Sequence, residues 1–216
     1  FSKDYILESV DGILQRLQVD YLDSLLLHRP DALMEADQVA EAFEILHKSG
    51  KVRDFGVSNQ NPMMMELLKR EVKQPLTINQ LQLSAAFTPG FDAGFHVNME
   101  GDKATVRDGS VFEYCKLNDM VIQAWSVLQF GYFKGNFVGK EQFQDLNEVL
   151  NRLALKYGVS PSAIAIAWVL RYPAKMQAIV GTTNPKHLIE ASQASNVNLT
   201  RKEWYEIYLA AGNDLP

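Results

Sequence analysis

The sequence predicts a parallel α/β fold, and three observations carry that prediction. Short apolar runs alternate along the chain with segments of helical period, as in successive βα units. Five such runs occur, near residues 25, 53, 79, 121 and 178. The first, Ser24-Leu25-Leu26-Leu27-His28, is continuously apolar before its polar end, the pattern of a strand covered on both faces. No low-complexity segment or linker divides the 216 residues, so residues 1–216 read as one domain.

Each element has a local reason. Ile6, Val10, Ile13, Leu14 and Leu17 recur at steps of three and four, which predicts an amphipathic helix with Ser2 as its cap and Asp4 at the positive end of its dipole. The first strand ends at Arg29-Pro30-Asp31, where proline stops it. Val39, Phe43 and Leu46 mark a second helix closed by Ser49-Gly50. Val52 to Ser58 is a strand, and Asn61-Pro62 starts a helix carrying Met64, Leu67 and Leu68. The run Met63 to Met65 reads as packing. Thr77 to Leu83 alternates as a strand does. Residues 84–108, with Pro89, Gly90, Gly94 and Gly101, have no steady period and predict a long loop. A short helix at Ser110 to Leu117 and a strand at Met120 to Ala124 follow, then a second irregular loop from Gly131 to Gly139. Leu146, Val149, Leu150 and Leu153 form a helical stripe. Ser160-Pro161 opens a helix that buries Ile164, Trp168 and Val169. Gln177 to Val180 is the last strand, Asn184-Pro185 starts a helix, and Thr200 with Glu203 makes a capping box.

Composition narrows the function classes. A hydrophobic content of 47% with 22% charged residues suits a globular core. The net charge of −5 argues against nucleic acid as a partner, because phosphate binding wants a basic face. The single cysteine, Cys115, permits no internal disulfide and fits a free thiol in a reducing compartment. Its spacing from the four histidines suggests no metal site. No apolar run approaches the ~20 residues that span a bilayer, and no signal peptide precedes Phe1. A cytoplasmic protein without membrane contact is expected.

Several polar residues stand just after predicted strands: His28, Ser58, Asn59, Trp125, Gly181 and Thr182, with Gln80 inside one. Singly, each has a structural alternative. A lone histidine is often a satisfied structural residue, Ser-Asn is often a turn or cap, and tryptophan is often core. The segment Ile179-Val180-Gly181-Thr182-Thr183-Asn184-Pro185 runs from strand through a glycine turn into a helix start, where backbone amides and the dipole favour a phosphate. An ordinary helix cap explains the same residues equally well.

Together the segments are specific. Asp20-Tyr21-Leu22-Asp23-Ser24-Leu25-Leu26-Leu27-His28-Arg29-Pro30-Asp31 resembles the fourth-strand segment of the aldo-keto reductases, and Ser49-Gly50-Lys51-Val52-Arg53-Asp54-Phe55-Gly56-Val57-Ser58-Asn59 resembles their fifth. Ile78-Asn79-Gln80, Ala124-Trp125-Ser126 and Ile179-Val180-Gly181-Thr182 resemble the later cofactor segments, in the same order. The ending Arg201-Lys202-Glu203-Trp204-Tyr205 resembles the bacterial YdhF-type branch. The resemblance implies a (β/α)8 barrel of the NADP-linked oxidoreductase type, with about five of its eight strands present.

It also implies roles. His28 matches the catalytic histidine that orients the substrate carbonyl oxygen. Ser58, Asn59 and Gln80 match residues that hydrogen-bond the nicotinamide carboxamide. Trp125 matches the aromatic that stacks on the nicotinamide ring. Ser126 and Leu128 match the segment beside the pyrophosphate, and Gly181, Thr182, Thr183 and Asn184 match the loop around the adenosine phosphate. His187 stands where the family often has arginine, which leaves NAD as a possible cofactor beside NADP (NADPH). The family's tyrosine proton donor, with its aspartate and lysine, comes from the first three strands. Neither Tyr5 nor Tyr21 lies in the matching motif, and five strands do not close a barrel of eight. The chain is therefore expected to be a carboxy-terminal part of a longer protein, lacking strands 1–3 and inactive by itself. The expected reaction is hydride transfer between NADP(H) and an aldehyde, ketone or alcohol. The alternative is an inactive nucleotide-binding homologue that senses redox state or binds a partner. A small carbonyl compound is the expected partner, and the expected state is a monomer or weak homo-oligomer.

Overall fold

The structure is a computed structural model and describes residues 1–31, 33–95, 111–131 and 134–213. Five parallel-sheet strands are interleaved with helices in the order α1 (Lys3–Leu17), β1 (Leu22–Leu27), α2 (Ala36–Lys48), β2 (Val52–Ser58), α3 (Pro62–Lys69), β3 (Leu76–Gln82), α4 (Pro89–Phe95), α5 (Val111–Leu117), β4 (Val121–Trp125), α6 (Gln144–Tyr157), α7 (Pro161–Leu170), β5 (Lys175–Ala178), α8 (Pro185–Ser192) and α9 (Arg201–Ala210). Two short 3-10 turns, Glu141–Phe143 and Gln193–Asn196, complete the order. The strands lie in chain order, β1-β2-β3-β4-β5. The predicted α/β class, with strand and helix alternating in the manner of a (β/α)8 barrel, is the one observed.

The chain forms two compact units, Phe1–Gln80 with Glu113–Val121, and Leu81–Phe112 with Ile122–Pro216. In the first, β2 pairs in parallel with β1 on one side and β3 on the other, with Leu26 opposite Gly56 and Gly56 opposite Ile78. A Cβ on Gly56 would stand 2.5 Å from Leu26 Cδ2 and 2.6 Å from the Ile78 carbonyl oxygen, so only glycine lets the three strands close up here. Phe43 of α2 stacks on Phe55 of β2, ring centroids 4.1 Å apart, and Val10, Val39, Met65 and Leu68 fill the core around them. Of the three consecutive methionines, only Met65 is fully buried, and Met63 points to solvent.

In the second unit α7 is apolar all round and buried all round. Its Trp168 stacks on Trp204 of α9 at 4.8 Å, and each indole N–H donates to the other residue's carbonyl oxygen, at 3.0 and 3.1 Å. The capping box forms as expected: Glu203 N–H donates to Thr200 Oγ1, and Thr200 N–H donates to Glu203 Oε2. Burial alone would raise the Glu203 carboxyl, but hydrogen bonds from Lys156, Thr200 and Tyr157 outweigh it and hold the group at about 2.

Three expectations are corrected. The first strand is not covered on both faces by the described residues: Leu25 and Leu26 are half-buried. The segment 84–108 is not all loop, since α4 forms at Pro89–Phe95, where Asp92 accepts from Thr88 Oγ1 at 2.8 Å and from Tyr208 Oη at 2.9 Å. Residues 96–110 lie outside the described residues. The last strand is Lys175–Ala178 rather than 177–180, although the Ile179 N–H still donates to Ala124 O at 2.8 Å. Among the described residues no single helix is long and apolar enough to cross a membrane.

Candidate cofactor site

In the first unit the polar residues of interest stand at strand ends. His28 is exposed, one residue past β1. Ser58 closes β2, Asn59 follows it, and Gln80 lies near the end of β3. The last three form one hydrogen-bonded group. Ser58 Oγ donates to the Gln80 carbonyl oxygen at 3.0 Å, Asn59 Nδ2 donates to Ser58 Oγ at 3.0 Å, and Asn59 N–H donates to the Gln80 carbonyl oxygen at 2.9 Å. Asn59 reaches this geometry in a left-handed conformation, φ 53°, which asparagine tolerates better than most residues. Ser58 is buried and Asn59 half-buried, so the Asn59 amide is the part a ligand can reach.

Beneath them Asn79 is fully buried and donates from Nδ2 to the Gln60 carbonyl oxygen at 2.9 Å. Cys115 is buried beside Asn79, and burial pushes its thiol up to about 11, against a smaller opposing pull from Asn79. It is a packing residue, as expected for a free thiol. Among the described residues no group of three or more metal-ligating side chains occurs.

In the second unit a cavity of about 550 Å³ opens where β4, β5, α7 and α8 meet. Trp125, the last residue of β4, lines it together with Ser126, Leu128, Gly181, Thr182 and His187. Six residues selected from sequence are thus brought to one cavity. Ser126 is left-handed, φ 53°, which turns the chain sharply out of β4. The turn is fixed by Gln129 N–H donating to Ser126 O at 2.8 Å and by Ser84 Oγ donating to Gln129 O at 2.6 Å. A non-glycine residue held left-handed is sustained only where neighbours overdetermine it, and such residues gather at ligand sites.

Thr183 and Asn184 are not part of the lining. Asn184 instead caps α8, its Oδ1 accepting from Lys186 N–H at 3.0 Å, while its own N–H donates to Thr182 Oγ1 at 3.1 Å. The helix-cap reading of this segment therefore holds for those two amides, which are directed at side chains. Sequence reasoning missed Gln129, Asn136, Ser162 and Glu190 as lining residues. Glu190 was within reach: it lies three residues after His187, on the same face of α8.

An open cavity at strand ends, lined by an aromatic and a few polar groups, has the placement and make-up common to small-ligand sites of α/β folds. The aldo/keto reductase family model matches residues 1–210, and the chain belongs to that family. It is 35% identical over 216 residues to "Oxidoreductase YdhF" of Escherichia coli (strain K12), covering 99% of this chain and 66% of that protein. It is 34% identical to the "6-dehydroglucose reductase" of Agrobacterium fabrum (strain C58 / ATCC 33970), covering 96% of this chain and 63% of that protein. The chain thus spans about two thirds of the length of these relatives. The fold matches an aldo-keto reductase from Klebsiella pneumoniae solved in complex with NADPH, with a TM-score of 0.71 and 24% identity over 92% of this chain and 61% of that one.

Proposed function

We propose that the chain is the nicotinamide-binding part of an oxidoreductase that transfers hydride between NADP(H) and an aldehyde, ketone or alcohol. The observation that carries this is the cavity edged by Trp125 at one side and by Gly181, Thr182 and α8 at another. Its size falls within the range of small-molecule and cofactor sites. The family membership and the NADPH bound to a solved aldo-keto reductase of the same fold support it.

The lining of the second unit's cavity fits part of such a cofactor. Trp125 offers a flat apolar face for the nicotinamide ring, leaving one side of the ring open. The family resemblance gives the carboxamide to the Asn59 amide and Gln80 of the first unit, where Ser58 accepts from the Asn59 amide and donates to the Gln80 carbonyl oxygen. Ser126 and Leu128 border the pyrophosphate, and Gly181 and Thr182 the adenosine end, with Thr183 and Asn184 shaping that turn from behind. When bound, the nicotinamide supplies or takes the hydride at the substrate carbon. By the family resemblance His28 is the residue that orients the carbonyl oxygen and supports the negative charge that grows there.

The test is NADPH oxidation with a panel of aldehydes and ketones. Turnover of any of them, abolished or strongly reduced by His28→Ala, is the expected result for the whole protein. Saturable NADPH binding with no turnover across the panel would instead favour a nucleotide-binding homologue.

A further inference from the structure

The second unit contains a buried aromatic stack that lies apart from the cavity. Trp204 and Tyr208 stand one turn apart on α9, so their rings share a face of the helix and stack at 5.7 Å, inclined by 11°. Trp168 of α7 extends the stack on the other side of Trp204, at 4.8 Å and 10°. Phe95 closes the far end, edge-on to Tyr208 at 5.7 Å. Trp168, Trp204 and Tyr208 are all buried, and none of them lines the cavity. Packing accounts for the rings. Their polar ends carry a further pattern.

The three rings donate to very different acceptors. Each indole N–H donates to a backbone carbonyl oxygen, at 3.0 Å from Trp168 and 3.1 Å from Trp204, and an amide carbonyl is a very weak base. The Tyr208 hydroxyl donates to Oδ1 of Asp92 at 2.9 Å, and a carboxylate is a far stronger base. Asp92 is itself buried, and Thr88 Oγ1 donates to its other oxygen at 2.8 Å. An indole that loses an electron in this setting keeps its proton and remains a strong oxidant. A phenol that loses an electron becomes a strong acid, and this one already touches a base. An electron hole on either stacked tryptophan therefore runs downhill to Tyr208.

We propose that Trp168, Trp204 and Tyr208 form a one-electron relay that ends in a tyrosyl radical at Tyr208, with Asp92 as the proton acceptor. The co-reactant is a strong one-electron oxidant, such as an inorganic radical. It takes one electron from the indole pair and is itself reduced. The indole radical cation then takes one electron from Tyr208 and is restored, while the phenol proton moves from Tyr208 Oη to Asp92 Oδ1. The net products are the reduced oxidant, a neutral tyrosyl radical and a protonated Asp92. Tyr205 is the rival sink, because its ring meets Trp204 edge-on at 5.0 Å. It stands at the surface, 39% exposed, where water is the base on hand and is weaker than a carboxylate. The relay is separate from the hydride transfer proposed above and stands or falls without it.

The experiment is pulse radiolysis of the purified protein with azide radical, a one-electron oxidant that attacks tryptophan first, with the indolyl and tyrosyl radicals followed by their absorbance. It is done in a Trp125→Phe background, where the stacked pair are the only tryptophans, and in that background with Tyr208→Phe, Tyr205→Phe or Asp92→Asn. With the stack intact, the indolyl signal should decay as a tyrosyl signal grows, at one rate that is independent of protein concentration and slower in heavy water. Tyr208→Phe should lose the tyrosyl growth and Tyr205→Phe should keep it. Asp92→Asn keeps a hydrogen-bond acceptor but not the base, and should lose most of it. An indolyl signal that decays with no matched tyrosyl growth would overturn the relay. So would growth retained in Tyr208→Phe, growth lost in Tyr205→Phe, or unaltered kinetics in Asp92→Asn. The first of these outcomes is read with the stack untouched, so it decides the matter even where a stack variant does not fold.

Discussion

One residue in each unit turns the chain sharply beyond a strand, and both sit in the same left-handed conformation. Asn59 follows β2 and Ser126 follows β4, each left-handed at φ 53°, so each strand ends in an abrupt turn that exposes side chains beyond it. The sequence offers Ser58-Asn59 as a turn but does not reveal the conformation of Asn59 or Ser126, which depends on partners outside the local pattern: the Gln80 carbonyl for Asn59, and the Ser84 hydroxyl that holds Gln129 of the Ser126 turn. The caps were legible, because a cap depends on residues within one turn. Ser2, Asn61, Ser160 and Thr200 each accept from the expected backbone N–H. Glu203 yields a prediction at this scale. Its carboxyl ordinarily titrates at 4.5 and is held at about 2 in the folded chain. Its contribution is thus fully present above about pH 4.5 and is lost as pH falls toward about 2. Urea midpoints measured over that window should fall for the native protein and fall less steeply for Glu203→Gln. Parallel curves would show that the Lys156–Tyr157–Thr200 cradle does not bind the carboxylate more strongly than water does.

Among the elements, β2 is the most constrained. It lies between β1 and β3, and Gly56 is its narrowest point. Gly56→Ala forces a methyl group against Leu26 and the Ile78 carbonyl, and overpacking of this kind costs roughly 1–3 kcal/mol. A lowered thermal midpoint is the expected outcome, and an unchanged or raised one would mean that β1 moves aside freely. The periodicity of the sequence placed β2 at its observed limits, Val52 to Ser58, because its neighbours on both sides give the strand a clear buried pattern. It failed for β1, whose apolar run reads as doubly covered although Leu25 and Leu26 are only half-buried among the described residues. Apolar content reports what a strand can bury, not what is placed over it. It also failed for α4, where Pro89, Gly90 and Gly94 suppress the helical signal and the segment is held by Asp92 bonds to Thr88 and to Tyr208, a residue 116 positions away.

For the whole molecule, the proposed function places a nicotinamide dinucleotide in the cavity between β4, β5, α7 and α8. Six of the residues chosen from sequence surround it, and the family to which the chain belongs gives the choice its meaning. Its three tryptophans make the claim measurable. Trp168 and Trp204 are buried against each other, and Trp125 lines the cavity. Titration of the purified protein with NADPH, followed by tryptophan fluorescence and repeated with Trp125→Ala, is the most direct test. Saturable quenching is expected in the native protein, with the affinity reduced and most of the quenching lost in the variant. Native quenching that persists unchanged in Trp125→Ala, or no saturable response at all, would contradict it.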